Sequence, residues 1–186
     1  EMCANQISTK EEVLAFWFDE ISPEQWFKKD ENFDAMLTNR AGAIASKALN
    51  GQIDSWAETA DGATALVIVL DQFTRNIFRD TPQAFSGDEM ALVVSLKSVN
   101  SNWFAELPNM HKHFLLMPMM HCEDILIQEK SLPLFEIHTN ELTHEYAVKH
   151  RDIVAKFDRF PHRNAILGRP STPEELEFLK QPGSSF

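Results

Sequence analysis

The stretch Asp61–Arg79, DGATALVIVLDQFTRNIFR, predicts a helix that is buried on every side at its start and polar at its end. Asp61 is a suitable N-terminal cap, and the run Ala65–Leu70 is apolar all round. Polar side chains then recur at helical spacing and share one stripe. This stripe consists of Gln72, Arg75, Asn76 and Arg79. Because buried polar groups are costly unless they are paired, we expect the stripe to line a cavity or to meet charged partners.

Helical spacing of apolar residues also recurs along the rest of the chain, without the alternation that is typical of strands. Helices are expected at about 31–50, 88–99, 111–117, 122–136 and 141–157, with shorter ones at 161–167 and 172–179. Ser8 and Glu11 predict a capping box for the first helix, and Pro118 predicts a break after Met117. The sequence therefore predicts an all-α fold, a single-domain helical bundle over residues 1–181, with a loose tail at 182–186.

The composition describes an acidic chain of 186 residues, with 28 acidic and 17 basic side chains and a net charge of −11. This balance argues against a broad nucleic-acid surface and against an anionic membrane as partner. The longest aliphatic run is far shorter than the roughly 20 residues of a membrane helix. Two distant cysteines, Cys3 and Cys122, and the lack of a recognisable secretory signal predict a cytoplasmic protein. The sequence predicts no oligomeric state.

Arginine is concentrated in a way that suggests a site. Six of the seven arginines lie within 75–79 and 151–169, and the segment 140–169 carries six basic against four acidic residues. The planar fork of arginine binds phosphate and carboxylate in a bidentate manner. Pro161 is expected to begin a short helix, whose N-terminus would favour an anion beside Arg159, His162 and Arg163. The alternative is a set of structural ion pairs, for which Asp71 and Arg75 offer one example.

A third candidate lies in the methionine-rich stretch 117–124. His121 is followed by Glu123 and Asp124, and either carboxylate could orient the imidazole as a general base. The stretch does not predict a metal centre, because the chain has no HExxH motif and no PCxxC partner for the HxE pattern. We therefore expect neither a metal nor a cofactor.

These motifs together resemble the domain of unknown function 924 family over about residues 11–180. The resemblance rests on Phe16-Trp17-Phe18, Trp26-Phe27, Asp71-Gln72-Phe73-x-Arg75-Asn76, Pro118 to Asp124, and Arg159 to Asn164 followed by Leu167-Gly168-Arg169-x-Ser171-Thr172-x-Glu174-Glu175. It implies a tetratricopeptide-like superhelical fold and no established activity. The chain has Asp158 where this family usually has glycine, and Cys122 where serine is usual.

The leading hypothesis is a pocket where the three motifs converge on an anionic ligand. Arg75, Arg159 and Arg163 would hold a phosphate or carboxylate, His121 would be the base, and His162 the acid. Further ligand contacts are predicted for Asp71, Gln72, Asn76, Arg79, His150 and Asn164. This chemistry fits a hydrolase of phosphoesters, such as RNA phosphodiesters.

Two alternatives remain open at this point. One is a non-enzymatic tetratricopeptide-like scaffold that binds a partner peptide or a small acidic ligand. The other is a purely structural role, in which the motifs lock helices together. Both predict that the arginines pair with internal carboxylates.

Overall fold

The predicted all-α class is confirmed by the computed structural model of the protein, which describes residues 5–186 and contains no strand in that range. The α-helices are α1 (Lys10–Ala15), α2 (Pro23–Trp26), α3 (Glu31–Leu49), α4 (Ala60–Val67), α5 (Thr74–Ile77), α6 (Asp88–Val99), α7 (Asn109–Met120), α8 (Ile125–His138), α9 (Glu141–Phe157), α10 (Asn164–Leu167) and α11 (Pro173–Phe178). π-Helical turns over Phe16–Glu20 and Ile68–Phe73 extend α1 and α4. Short 3₁₀ turns lie at Asp54–Glu58, Pro82–Phe85, Phe104–Glu106 and Pro161–Arg163.

The segment from α4 through the π turn to α5 is the centre of the molecule. Every residue from Gly62 to Thr74 is buried, which includes the run Ala65–Leu70 that the sequence predicted to be buried on every side. Helix α4 contacts α1, α6 and α7, and the π turn contacts α3, α6 and α7. One hydrophobic cluster joins residues of all these elements. The polar residues at the end of the central segment therefore begin inside the bundle, where Asp71, Gln72 and Asn76 are buried, rather than on its outer surface.

The later helices form a layer beside this core. Helices α8 and α9 pack against each other, and both contact α7. A small second cluster joins Ile153, Val154 and Phe160 with the partly buried Phe178. Residues 182–186, for which the sequence predicts a loose tail, bring Ser184 into a buried position where its hydroxyl donates to the carbonyl of Leu179. The segment after α9 thus folds back onto α9.

Several local predictions are corrected. The first capping box is formed by Thr9 and Glu12, one residue later than expected. Helix α7 begins at Asn109 and continues through Pro118 instead of breaking there. An internal proline costs about 3 kcal/mol in a helix, but seven consecutive residues up to Met119 are buried, and this packing outweighs the cost.

Asp158, the residue that replaces the usual glycine, ends α9 in the left-handed conformation with φ of 61°. Glycine is the common residue at such a helix end because it has no Cβ, and aspartate is among the few others that adopt the conformation readily. The substitution therefore keeps the turn that leads into the arginine-rich corner.

Two other expectations concern membrane-spanning helices and the cysteines. In the part of the sequence that the structure covers, no helix combines the length and the hydropathy needed to cross a bilayer. Cys122 is a free thiol, whereas Cys3 lies outside the described residues. The tetratricopeptide-like superhelical arrangement that the resemblance implies stays a prediction.

The start of the central segment gives a stability prediction. A Cβ added at Gly62 would lie 2.0 Å from the carbonyl oxygen of Trp56, whereas one at Gly42 within α3 would meet no atom within 4 Å. Gly62→Ala should therefore lower the free energy of unfolding by more than about 2 kcal/mol through backbone displacement. Gly42→Ala should raise it by about 0.5–1 kcal/mol, because alanine favours helix. Urea unfolding measures both, and similar effects of the two changes would contradict this account.

Candidate functional site

The candidate site is built around a fully buried carboxylate in the π turn. Asp71 has no exposed surface, and its oxygens accept hydrogen bonds from the Nδ1 of His121 at 2.8 Å and from the Nε2 of Gln72 at 2.8 Å. The guanidinium of Arg75 adds a third contact at 3.2 Å, one helical turn later. His121 lies directly after α7, so the pair joins the central segment to the end of another helix.

The protonation states follow from burial and from the neighbouring charges. Burial by itself would raise the pKa of Asp71, but His121 and Arg75 lower that pKa to about 2. Burial, with the nearby charge of Arg75, lowers the pKa of His121 below its ordinary 6.5 despite the contact with Asp71. Near pH 7 Asp71 is therefore ionised and His121 neutral. Because a carboxylate only accepts, the Nδ1 of His121 carries the proton and its Nε2 keeps a lone pair.

Arg75 connects this pair to the start of α6. Its Nη1 and Nη2 donate to the two carboxylate oxygens of Asp88 at 2.7 and 3.0 Å. Asp88 was not singled out from the sequence, because an acidic residue in the first turn of a helix is ordinary. Its partner lies 13 residues away, and only the fold brings the two together.

Arg163 differs from the other arginines of the motifs. Its side chain is 8% exposed and lies between the rings of Phe85 and Phe160, with 4.6 Å from the guanidinium carbon to each ring centroid. It donates to the backbone carbonyl of His121 at 3.0 Å, and its nearest carboxylate oxygen, on Asp88, lies 3.9 Å away. Its Nε is buried without a hydrogen-bond partner.

This environment destabilises the positive charge of Arg163. Burial, together with the charge of Arg75, lowers the pKa of Arg163 to about 10, which still leaves the group charged at pH 7. A buried cation that uses few of its five donors is costly to the free protein. An anion that accepted from those donors would remove part of the cost.

Two histidines lie next to these groups. The ring of His150 on α9 lies 6.4 Å from that of His121 and 5.5 Å from that of Phe160, centroid to centroid. Burial is the main cause that lowers the pKa of His150 to about 3 and that of His162 to about 4, and the charge of Arg163 adds to both shifts. Both imidazoles are therefore neutral near pH 7.

A second network fastens the corner after α9 and does not reach the imidazole of His121. Arg169 donates to both oxygens of Glu123 at 2.9 and 3.0 Å, and Glu123 also accepts from the backbone nitrogen of Phe160. Arg159 is held by Glu175 at 2.7 and 2.9 Å. These pairs connect the turn before α8 to the segment around α10 and α11, and they leave both arginines with carboxylate partners.

The structure therefore divides the predicted site residues into three groups. Those that meet around the buried carboxylate are Asp71, Gln72, Arg75, His121, His150, His162 and Arg163. Those that belong to the fastening network are Glu123, Arg159 and Asn164, the last of which contacts Ser171, Glu175 and Arg169. The third group is Arg79 and Asn76: Arg79 pairs with Asp34 of α3 and donates to the amide oxygen of Asn76.

One expectation about His121 is wrong. Neither of its acidic sequence neighbours orients the imidazole, because Glu123 is paired with Arg169 and Asp124 caps the N-terminus of α8. The orienting carboxylate is Asp71, fifty residues earlier in the chain. Among the described residues no group of three or more His, Cys, Asp or Glu side chains is arranged to hold a metal ion.

The site is closed in this structure. The exposed fraction of the His121 side chain is 11%, and the guanidinium of Arg163 is covered by two aromatic rings. A surface cavity of about 510 Å³ lies elsewhere, between α1, its π turn and Arg40 of α3. Ligand access to Arg163 thus requires a side chain or a segment to move.

The pairing of Asp71 gives a prediction that does not depend on any ligand. Asp71→Asn keeps the shape but removes the buried charge that faces His121 and the partly buried Arg75, so we expect the free energy of unfolding to fall by about 3 kcal/mol or more. Asp152→Asn is the matched control, because Asp152 pairs with Arg151 at the surface. Its loss should stay below about 1 kcal/mol. Chemical unfolding of both variants decides the matter, and equal losses would show that Asp71 is not the central partner.

Comparison with known proteins places the chain in a family without an established activity. No curated protein matches the sequence. A solved structure of a protein of unknown function from Agrobacterium tumefaciens is 34% identical, with a TM-score of 0.86, over 92% of this chain and 96% of that one. Residues 13–183 match the family described as "Bacterial protein of unknown function (DUF924)". The chain therefore belongs to the DUF924 family, as its motifs suggested.

Proposed function

We propose that the protein binds a phosphoester at Arg163 and hydrolyses it with His121 as general base. The observation that carries this proposal is the buried guanidinium of Arg163, whose Nε has no partner, beside a histidine whose tautomer is fixed by Asp71. Phosphate offers several acceptor oxygens in the geometry that a guanidinium fork recognises. The pairing of Arg75, Arg159 and Arg169 with carboxylates leaves Arg163 as the arginine best suited to the anion.

The chemistry requires only groups that lie together. Water is the nucleophile: the Nε2 of His121 takes one of its protons while the water oxygen bonds to phosphorus. The ester bond from phosphorus to the leaving oxygen breaks, and that oxygen must gain a proton. Asp71 stabilises the imidazolium that forms and holds the imidazole in place, as a carboxylate partner does for histidine bases in general.

His162 can act as the acid only after an anion has bound. In the free protein its pKa is about 4, because burial and Arg163 oppose its charge, so it carries no proton to donate near pH 7. A phosphate beside Arg163 would offset that positive charge and raise the pKa of His162. The proposal thus assigns His162 a role that depends on the ligand, whereas Arg159 and Glu123, expected at the site, act through the fastening network.

The scaffold alternative keeps one favourable observation. Most motif arginines pair with internal carboxylates, and the site is closed, as both the scaffold and the purely structural role predict. It leaves the unpartnered Nε of Arg163 without an explanation.

The cytoplasmic location remains a prediction from the cysteine content.

The affinity for phosphate distinguishes Arg163 from Arg159, which the sequence analysis both predicted to hold the anion. Arg163→Met replaces the buried cation by an apolar chain of similar length and should weaken binding of inorganic phosphate about tenfold or more, the loss of a charge-assisted hydrogen bond. Arg159→Met should leave phosphate affinity unchanged, because Glu175 already occupies that guanidinium. Titration followed by the imidazole resonances of His121 and His162 measures both. Phosphate that binds wild type and Arg163→Met equally would overturn the proposal.

Turnover tests the role of the histidine. His121→Gln should reduce kcat/KM for bis(p-nitrophenyl) phosphate by about 10²–10⁴, and Asp71→Asn should also reduce it by disturbing the tautomer. His144→Gln on α9 is the control and should be neutral. Because burial and the charge of Arg75 lower the pKa of His121 below 6.5, wild-type kcat/KM should rise with pH and reach half of its maximum below pH 6.5. Activity that is absent from wild type, or unchanged in His121→Gln, would reject catalysis.

A further inference from the structure

The aromatic ring of Phe186 is stacked on a histidine of the candidate site. The ring centroids of Phe186 and His150 lie 3.7 Å apart, with an angle of 21° between the planes. The same phenyl ring meets His162 edge-on at 5.9 Å and Tyr146 at 6.5 Å. Phe186 is nevertheless 48% exposed, whereas His150 beneath it is buried. A half-exposed ring therefore covers one face of a buried imidazole.

The segment that delivers this ring is weakly held. Ser184 is fixed by its hydrogen bond to the carbonyl of Leu179, and Ser185 beyond it is exposed. Among the side-chain hydrogen bonds and ion pairs of the described chain, none involves Phe186. Because the ring is half exposed and no side-chain hydrogen bond or ion pair holds it, it can leave His150 without disturbing any helix.

The surface under the ring of Phe186 combines a stacking face with a polar atom to which a phenyl group cannot hydrogen-bond. The imidazole of His150 is fixed by the contact between its Nδ1 and the carbonyl of Tyr146 at 2.7 Å, and by the edge contact with Phe160. The Nδ1 of His162 is buried without a hydrogen-bond partner. A phenyl ring satisfies the stacking face but cannot bond to that nitrogen. A heterocycle with polar edge atoms can do both, which is how proteins recognise unpaired bases.

The stacking face lies next to the proposed phosphate site. Phe160 contacts His150 on one side and the guanidinium of Arg163 on the other, at 5.5 and 4.6 Å. One aromatic ring, that of Phe160, therefore lies between the stacking face of His150 and the guanidinium of Arg163.

We propose that His150 and His162 form a subsite for a nucleobase, which Phe186 fills in the free protein, so that the ligand of this site is a nucleotide. The inference rests on the proposed function for the phosphate end of that ligand. The base end stands on its own geometry, namely the stacked ring, the unpaired Nδ1 of His162 and the half-exposed position of Phe186.

The test uses adenosine and inorganic phosphate as separate probes, each followed by the imidazole resonances of the full chain. In Phe186→Ala, adenosine should shift the signals of His150 and His162 and bind about tenfold tighter than to wild type, because it no longer competes with the phenyl ring. Phe27→Ala is the matched control, because Phe27 is also an exposed phenyl ring, 61% exposed, but it packs on Phe114 instead of on a histidine of the candidate site. It should leave adenosine binding as in wild type.

The two proposals fail in different ways. No shift of His150 and His162 by adenosine in Phe186→Ala, or equal affinity in all three proteins, overturns the base subsite whatever phosphate does. Phosphate that leaves His121 and His162 unshifted in every variant overturns the anion site instead. Adenosine 5′-monophosphate that binds Phe186→Ala more tightly than either probe alone supports the two subsites acting on one ligand.

Discussion

The structure depends on the pairing of one buried negative charge, the carboxylate of Asp71. A charge with no exposed surface is tolerated only where hydrogen bonds and opposite charges compensate its lost hydration. The donors come from different places: Gln72 beside it, Arg75 one turn later, and His121 at the end of α7. Arg75 in turn holds Asp88 at the start of α6. Satisfying one carboxylate thus fixes the central segment against two further helices.

The arginines show how the same residue type serves stability and binding in one site. Arg75, Arg159 and Arg169 each place their fork on a carboxylate, and such bidentate pairs restrict the relative positions of the helices they join. Arg163 instead lies between two phenyl rings with a donor left over. Stacking on the two rings stabilises the guanidinium group of Arg163 without using its N–H groups as hydrogen-bond donors. Because stacking uses none of its N–H donors, the guanidinium of Arg163 remains available to a ligand.

The fold was largely predictable from local periodicity, whereas the site was only partly so. The spacing of apolar residues predicted α6 and α9 at the bounds the structure shows, because a helix face repeats every few residues. The pair of Asp71 and His121 is separated by fifty residues, and no local pattern encodes such a contact. The orientation of His121 was assigned to acidic neighbours for that reason. Asp88 was missed because its role comes from Arg75, and Phe186 because a stacked ring leaves no sequence signature.

Anion binding at this site must be coupled to protonation. The imidazoles of His121, His150 and His162 are neutral near pH 7 because burial, together with nearby arginine charge, lowers their pKa values. An anion at Arg163 offsets the arginine charge that acts on His150 and His162 but does not change their burial, so it raises the pKa values of these two histidines in part. By linkage, the protein takes up protons as the anion binds, and affinity increases as the pH falls through the raised values. A general base needs the opposite condition, a free Nε2 on His121. The carboxylate of Asp71 makes both conditions possible at one site. It leaves the Nε2 of His121 free before the reaction, and its negative charge stabilises the imidazolium that forms when the reaction places a proton on that nitrogen.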